Sequence, residues 1–144
     1  MKNIILSIVI LGLISVQCKN SKTVVLTQAE RQLINTNSFI AEATPADFTI
    51  SSVKLLDNII EMTVNFTGEK GKHDFDLLWD GSTMKSMPPK VILTPVHKSE
   101  NMSGRKKVEM KLTFNINTLT EKVNYPTFII MIKNYPDNFT WNKE

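Results

Sequence analysis

The sequence predicts an all-β fold, an antiparallel β-sandwich of about seven strands that is immunoglobulin-like, with a small β-barrel as the alternative. From Phe48 onward, apolar and polar residues alternate at the period of a strand. Turn residues recur at short spacing, and no segment of any length has a helical period. We expect the sandwich to occupy residues 45–144.

The N-terminus is typical of an export signal. Lys2 supplies a positive charge, and residues 4–16 are an uncharged run rich in Ile, Leu and Val. This run suits the apolar region of a signal peptide and is shorter than the roughly 20 residues that a helix needs to cross a bilayer. We expect residues 1–17 to be removed as a signal peptide.

Cys18, the single cysteine of the chain, comes directly after this signal. A cysteine at this place resembles the lipobox of bacterial lipoproteins, in which the new N-terminal cysteine is acylated. Gln17 departs from the pattern, which has Gly, Ala or Ser there. We expect lipid (palmitate) on Cys18 to anchor the protein to the outer membrane of the cell envelope. The alternative is a soluble periplasmic or secreted protein with an incidental cysteine.

Removal of the signal leaves 127 of the 144 residues, enough for one domain with a core. No second cysteine can pair with Cys18 inside the chain, so the core must hold the fold together. The net charge of +3 falls to about +2 without Lys2, which is too small to favour nucleic acid as a partner.

Residues 18–44 are predicted to be a lipid-anchored tether and an N-terminal segment. Residues 23–26 are expected to form a short strand. Residues 27–30 have the spacing of a capping box, which predicts a short helix near residues 28–35.

The remaining elements follow from residue patterns. Residues 48–56 and 59–67 read as two strands joined by a two-residue turn at Asp57-Asn58. Farther on we expect a half-buried strand at 108–116, one helical turn within 117–125, a central strand at 127–134 covered on both sides, and an edge strand at 139–141.

Between these elements, residues 73–79 and 91–97 are expected to pair antiparallel with Trp79 opposite Val91. His73 and His97 then lie opposite each other at the end of a mostly apolar sheet face. A set of polar residues falls on the other, wetter face, namely Asp74, Asp76, Asp80, Thr94 and Lys98.

His73 and His97 are the candidate binding or metal-ligating residues. Two imidazoles could ligate Zn²⁺ or Cu²⁺ if a carboxylate or water completed the set, and thioethers from Met84, Met87 or Met102 would suit Cu(I). The alternative is a buried, hydrogen-bonded pair at the end of the core. No metal is assigned and no cofactor is expected.

No catalytic residue is assigned, because the sequence has no phosphate loop, His-Glu-x-x-His pair or Gly-x-Ser-x-Gly elbow. The leading hypothesis is a non-enzymatic binding or structural module of the envelope, with an envelope protein or a glycan as partner. A metal-handling protein using His73 and His97, or a small hydrolase with an unrecognised site, are the alternatives.

Several segments together resemble an uncharacterised family of small predicted lipoproteins from Bacteroidetes. They are His73-Asp-Phe-Asp-Leu77, Met87-Pro-Pro-Lys90, Leu93 to His97, and Asn134-Tyr-Pro-Asp137. The resemblance implies export and a β-sandwich, and it implies no established activity. This chain has Lys90 where the family has Gln, and it lacks the cysteines that flank the two histidines in the family.

The lipid anchor is tested with the variant Cys18→Ala. We expect the parent to sediment with membranes and the variant to move to the soluble fraction, since acylation needs the thiol. Mass spectrometry of the parent should show acyl chains on Cys18. Equal partitioning of the two proteins, with no acyl chain on the parent, would contradict the prediction.

Overall fold

The computed structural model describes residues 23–36, 47–68, 73–99 and 104–143. Cys18, Met102 and the signal peptide lie outside these residues. The described residues form ten strands and one helix: β1 Val24–Thr27, β2 Arg31–Gln32, β3 Ile34–Asn35, β4 Phe48–Leu56, β5 Ile59–Gly68, β6 His73–Trp79, β7 Lys90–Ser99, β8 Lys106–Asn115, α1 Asn117–Val123, β9 Thr127–Ile132 and β10 Asn138–Asn142.

The strands form two layered sheets that do not close into a barrel. The first sheet has the order β1-β8-β5-β4, with β2 also paired to β8, and the second has the order β10-β9-β7-β6-β3. The predicted all-β sandwich is therefore confirmed, and its seven strands of five or more residues match the predicted number.

Both sheets are mixed, so the expectation of purely antiparallel pairing is wrong. Strands β1 and β2 run parallel to β8, β3 runs parallel to β6, and β7 runs parallel to β9. The last pairing arises because the chain leaves the second sheet after β7, passes through β8 and α1, and returns as β9 in the same direction.

The core lies between the two sheets and follows the predicted alternation. On β5 the buried side chains are Ile60, Met62, Val64 and Phe66, and on β8 they are Val108, Met110, Leu112 and Phe114. Burial of each such side chain contributes about 1.5–3 kcal/mol before the loss of conformational entropy. The two strands pair with each other in register, for example Ile60 with Phe114.

The predicted turn at Asp57-Asn58 is present between β4 and β5. Asp57 has a positive φ of 52°, a conformation that Asp tolerates better than most residues. The carbonyl of Asn58 accepts the backbone N–H of Ile116, and its side-chain oxygen accepts the indole N–H of Trp141. The turn thus connects the start of α1 to the edge of the second sheet.

Other elements agree with the sequence in part. Helix α1 lies inside the predicted 117–125 segment; at seven residues it is too short and too polar to cross a bilayer. Strand β10 is an edge strand as predicted. Strand β9 was expected to be covered on both faces, but only Phe128, Ile130 and Ile132 are buried, because no layer covers its outer face.

The helix predicted near residues 28–35 does not form, and strands β2 and β3 stand in its place. The Glu30 carboxylate accepts a hydrogen bond from the side chain of Asn115, so it does not cap a helix. The backbone groups of this segment form hydrogen bonds with the two sheets instead. For example, the N–H of Leu33 donates to the carbonyl of Asn115. Residues 24–35 therefore belong to the sandwich, and the predicted boundary at residue 45 lies inside the domain.

Gln28 joins the two sheets at one side of the sandwich. Its backbone N–H donates to the carbonyl of Lys111 in the first sheet. Its side chain makes two bonds to Phe75 in the second: Nε2 donates to the carbonyl at 3.0 Å, and Oε1 accepts the N–H at 2.8 Å. The Gln28 side chain thus occupies the place of a neighbouring strand along β6.

We expect Gln28→Ala to lower the free energy of unfolding by roughly 2–4 kcal/mol, because it leaves a buried N–H and C=O of Phe75 without partners. Urea unfolding followed by circular dichroism measures the change. Gln32→Ala, at an exposed position of the same segment, is the matched control and should stay within about 0.5 kcal/mol of the parent. Equal effects of the two substitutions would contradict the role of Gln28.

Candidate functional site

His73 and His97 lie on the neighbouring strands β6 and β7, on the inner face as predicted. Their register differs from the expected one by two residues, since Trp79 pairs with Leu93 rather than Val91, and Phe75 pairs with His97. A shift of two keeps every side chain on its predicted face. On the β6 side, Lys90 at the start of β7 forms a bridge with Met84 of the connection, and β6 begins to pair farther along β7, at Leu93.

The two histidines are diagonal neighbours in direct contact. Nδ1 of His73 lies 3.1 Å from Nε2 of His97, and Nδ1 of His97 lies 2.9 Å from Oδ2 of Asp47. An ionised carboxylate can only accept, so His97 carries its proton on Nδ1 and accepts at Nε2. His73 must then donate from Nδ1. The three side chains form one hydrogen-bond chain that runs from His73 through His97 to Asp47.

This chain is enclosed by aromatic rings at the end of the core. The ring of His97 stacks on Phe75 with centroids 4.3 Å apart and planes inclined by 6°. Phe66 packs against both imidazoles, at centroid distances of 4.6 Å from His73 and 4.8 Å from His97. The side chain of His97 is 2% exposed, whereas that of Asp47 is 35% exposed. Only the carboxylate end of the chain therefore reaches water to a substantial degree.

Gly68, at the end of β5 in the opposite sheet, allows this close packing. A Cβ atom at this position would lie 3.1 Å from Cε1 and 3.3 Å from Nε2 of His73. That is tighter than ordinary van der Waals contact, so a side chain here would displace the imidazole. The sequence predicts only a turn at Gly68 and gives no sign of this contact.

The hydrogen bonds of this chain hold the two imidazoles in place. Nδ1 of His73 and both ring nitrogens of His97 are engaged in them.

The geometry does not favour the predicted metal site. Both nitrogens of His97 are engaged, one with Asp47 and one with His73, so neither lone pair is open to a metal ion. Within the described ranges no three His, Cys, Asp or Glu side chains are grouped to hold a metal. Met84 and Met87 follow the Trp79 end of β6, about 20 Å of strand away from His73.

A second polar cluster covers the outer face of β6. Arg31 donates from Nη1 to Oδ1 of Asp76 at 2.7 Å and from Nη2 to Oδ1 of Asp74 at 2.8 Å, and Lys98 binds the other oxygen of Asp76. This face was predicted to be wet, but Asp76 is 5% exposed and Thr94 is 8% exposed. The long side chains of Arg31 and Lys98 cover the carboxylate, which a residue pattern does not reveal.

Electrostatics in this cluster favours the ionised form of Asp76. Burial is the largest single influence and acts to raise the pKa of Asp76, but the hydrogen bonds and charges of Lys98 and Arg31 together outweigh it. The pKa therefore lies below its ordinary value. The pKa of Arg31 is raised, chiefly by its hydrogen bond to Asp76.

Three contributors to these clusters were missed by sequence reasoning: Gln28, Arg31 and Asp47. Each meets its partner across 45 to 50 positions of the chain. No local pattern marks them, and the one signal nearby, the capping-box spacing at residues 27–30, indicated a helix instead.

Comparison with known proteins identifies relatives of the fold. No protein-family model and no curated protein matches the chain. Among solved structures, the chain is similar to a NigD-like immunity protein from Bacteroides caccae, with a TM-score of 0.58 and 11% identity over 83% of this chain and 65% of that one. The chain thus spans slightly less than two thirds of that protein.

Two further solved structures are similar at lower scores. They are a putative lipoprotein from Bacteroides fragilis (TM-score 0.49, 10% identity, 83% of this chain and 71% of that one) and a DUF1344 protein of unknown function from Bacteroides vulgatus (0.49, 10%, 84% and 56%). At 11% identity, the likeness to the immunity protein shows a similar fold and nothing about function. The other two TM-scores are too low to support a conclusion. The resemblance to the Bacteroidetes family stays a prediction.

We expect Asp76→Asn to lower the free energy of unfolding at neutral pH by about 1.5–3 kcal/mol, since it removes the charge from two hydrogen bonds. Because the folded pKa of Asp76 is lowered, its contribution is complete above the ordinary value of 3.8 and is lost as pH falls through the folded value. The difference between parent and variant should therefore be constant from pH 7 to 5 and shrink below pH 4.

Urea unfolding at a series of pH values measures this difference. Glu61→Gln, at an exposed carboxylate, is the control and should leave stability within about 0.5 kcal/mol of the parent. A parent–Asp76→Asn difference that stays unchanged down to pH 3 would contradict the assignment.

Proposed function

We propose that this chain is an exported, lipid-anchored, non-enzymatic binding module of the cell envelope, and that its partner protein docks on the outer face of the second sheet. The observation that carries the proposal is the contrast between the outer faces of the two sheets. The outer face of the first sheet is polar at its centre, with exposed Val25 and Leu56 at its margins. The outer face of the second sheet has an apolar stripe that includes residues of several strands.

The outer face of the first sheet is polar throughout its centre. Because Ile60, Met62 and Val64 point inward on β5, the residues between them point outward. The outward side chains at the centre of β5 and β8 are Glu61, Thr63, Asn65, Glu109, Lys111 and Thr113. Opposite charges and hydroxyl groups alternate there, as expected of a surface that faces water.

The outer face of the second sheet has a stripe of apolar side chains, which we call the outer stripe. By the register of β3 with β6 and of β7 with β9, the stripe consists of Ile34, Leu78, Ile92, Ile129 and Met131. Ile92 is 43% exposed and Ile34 is 40% exposed. A contiguous apolar patch on a sheet face is typical of an interaction site.

Charges at the margin of the outer stripe indicate the chemistry of the partner. Lys90 lies next to Ile129 on the same face, and Lys133 is exposed directly after β9. The complementary partner is a protein surface that is apolar at its centre and acidic at its margin.

The proposed anchor limits where this partner can be. Cys18 lies six residues before the start of β1 at Val24, and six extended residues span at most about 20 Å. Lipid on Cys18 would keep the sandwich close to a bilayer surface. A partner in the same membrane, or one that reaches its surface, would meet the outer stripe at high local concentration.

The histidine pair has a structural role in this proposal. Its imidazoles are buried and bonded to each other, and the ring of His97 is stacked on Phe75. Such a pair fixes the end of the core and leaves the binding to the sheet surface.

The proposal is tested by placing a charge in the outer stripe. We expect Ile92→Glu in the full chain to reduce chemical cross-linking to its envelope partner in cells at least tenfold, because a carboxylate would be buried in an apolar interface. Thr63→Glu is the matched control: it puts the same charge on the outer face of the first sheet, opposite Lys111, and should retain the cross-linked species.

Loss with both variants, or with neither, would reject the outer stripe as the docking surface. Circular dichroism and thermal unfolding of both variants verify that the fold is intact. Cross-linking to lipid rather than to protein, sensitive to the same Ile92 substitution, would show a membrane-contact face and overturn the assignment to a protein partner.

A further inference from the structure

Among the residues that the structure describes, strand β10 is an edge of the second sheet with no further strand beside it. The N–H of Lys143 donates to the carbonyl of Pro126 on the β9 side. Residues two apart point their backbone groups to the same side, so Trp141 also faces β9. The N–H and C=O groups of Asn138, Thr140 and Asn142 therefore point outward, away from the sheet.

This edge lacks the devices with which proteins discourage strand pairing. Asn138–Asn142 contains no charged residue and no proline, and its register with β9 is continuous. The edge strand of the first sheet on the same side is protected differently: β4 has an irregularity between Ile50 and Ser52 and carries Lys54 in its second half. Bulges and lysines are common protections of an exposed edge, so β10 is the open one of the two.

The sequence around β10 is complementary to itself when read antiparallel about Thr140. In that register Thr140 pairs with Thr140 of a second copy, Asn138 with Asn142, and Phe139 with Trp141. The next pair outward is Asp137 with Lys143, which brings opposite charges together at both ends. Asp137 and Lys143 are both exposed and can meet in this way.

We propose that β10 pairs antiparallel with β10 of a second copy of this chain, with the two-fold axis at Thr140. The register agrees with the backbone directions: Asn138, Thr140 and Asn142 are the residues whose groups point outward, and each exchanges both hydrogen bonds with its opposite residue. The result is one sheet that continues through both copies. A two-fold axis uses the same surface on each copy, as most homodimers do.

A groove beside β10 gives this pairing its room. It has a volume of about 580 Å³, and its lining includes Leu55 from β4 and Thr140, Trp141 and Lys143 from the β10 side. It lies between the edges of the two sheets. In the proposed register, Phe139 of the second copy lies opposite Trp141. Its ring enters this groove and buries apolar surface there.

The pairing is independent of the proposed function. The outer stripe lies on the face of the second sheet, and β10 pairing uses the edge, so the two can be occupied together. The pairing would place two outer stripes side by side on one continuous sheet. Loss of one interaction in a test therefore does not imply loss of the other.

Site-specific disulfide formation tests the register in cells that produce the full chain. In the proposed dimer the two Cα atoms of residue 140 are about 5.5 Å apart, inside the range of roughly 4.4–6.8 Å that a disulfide spans. Thr140→Cys should give a covalent dimer after treatment with copper phenanthroline. Asn138→Cys is the matched control: its two copies are four positions apart along the strand, about 13 Å, and should not cross-link.

Cys18 is present in both variants, so it cannot produce a difference between them. Cross-linking of Thr140→Cys but not Asn138→Cys supports the proposal. No dimer with Thr140→Cys, equal cross-linking of both variants, or cross-linking of Thr140→Cys to another protein each overturns it.

A charge exchange supplies a second readout that does not depend on cysteine. Asp137→Lys alone and Lys143→Asp alone should each raise the dissociation constant of the dimer roughly tenfold, because each places like charges opposite at both ends. The double variant with both substitutions should restore the parent value. Sedimentation equilibrium of the detergent-solubilised full chain measures this. A monomeric parent, or a double variant as weak as the single ones, overturns the pairing.

Discussion

The cover that residues 24–35 provide for strand β6 is the interaction on which the rest of the structure depends. A strand beside an open edge would expose its backbone groups and its outer face to water. Here Gln28 binds the N–H and C=O of Phe75, β3 pairs with the last two residues of β6, and Arg31 covers the carboxylates on its outer face. These contacts satisfy backbone groups along the edge of β6 and bury Asp76, while Leu78 on the same outer face stays part of the outer stripe.

Burial of these polar residues is tolerated because each one is paired. An unpaired buried polar group costs about 1–3 kcal/mol and a charged one costs more, comparable to a large part of the stability of a domain of this size. Asp76 is paired with two cations at the surface of the sheet, whereas His97 is paired with Asp47 and His73 inside it. Among the residues that the structure describes, no buried side-chain nitrogen or oxygen lacks a hydrogen-bond partner.

Residues 24–35 close one side of the sandwich and so limit where a partner can bind. Residues 24–35 occupy the side of β8 and β6, so the opposite side is left with the edges of β4 and β10. The bulge and lysine of β4 protect one of these edges, and the polar outer face of the first sheet protects one of the two faces. What is left is the outer stripe and the edge at β10. A binding module built this way presents its partner surface and its self-pairing edge on the same sheet.

The sequence by itself determined the main strands from Phe48 onward and the sheet face that each of their residues occupies. A period of two assigns Ile60, Met62 and Val64 to the core whatever their neighbours are, and the turn at Asp57-Asn58 needs only local backbone preferences. For the same reason both histidines lie on the inner face even though the predicted register was off by two. Local patterns determine the face because alternation is a property of one strand.

Only the tertiary structure decided which strands pair and which polar groups meet. Parallel pairing of β2 and β3 replaced a predicted helix, because backbone bonds to β8 and β6 outweighed the capping-box signal of residues 27–30. Asp47 meets His97 from 50 positions away, and Gln28 meets Phe75 from 47. These contacts depend on the relative placement of whole strands, and a pattern within one strand contains no information about its distant neighbour.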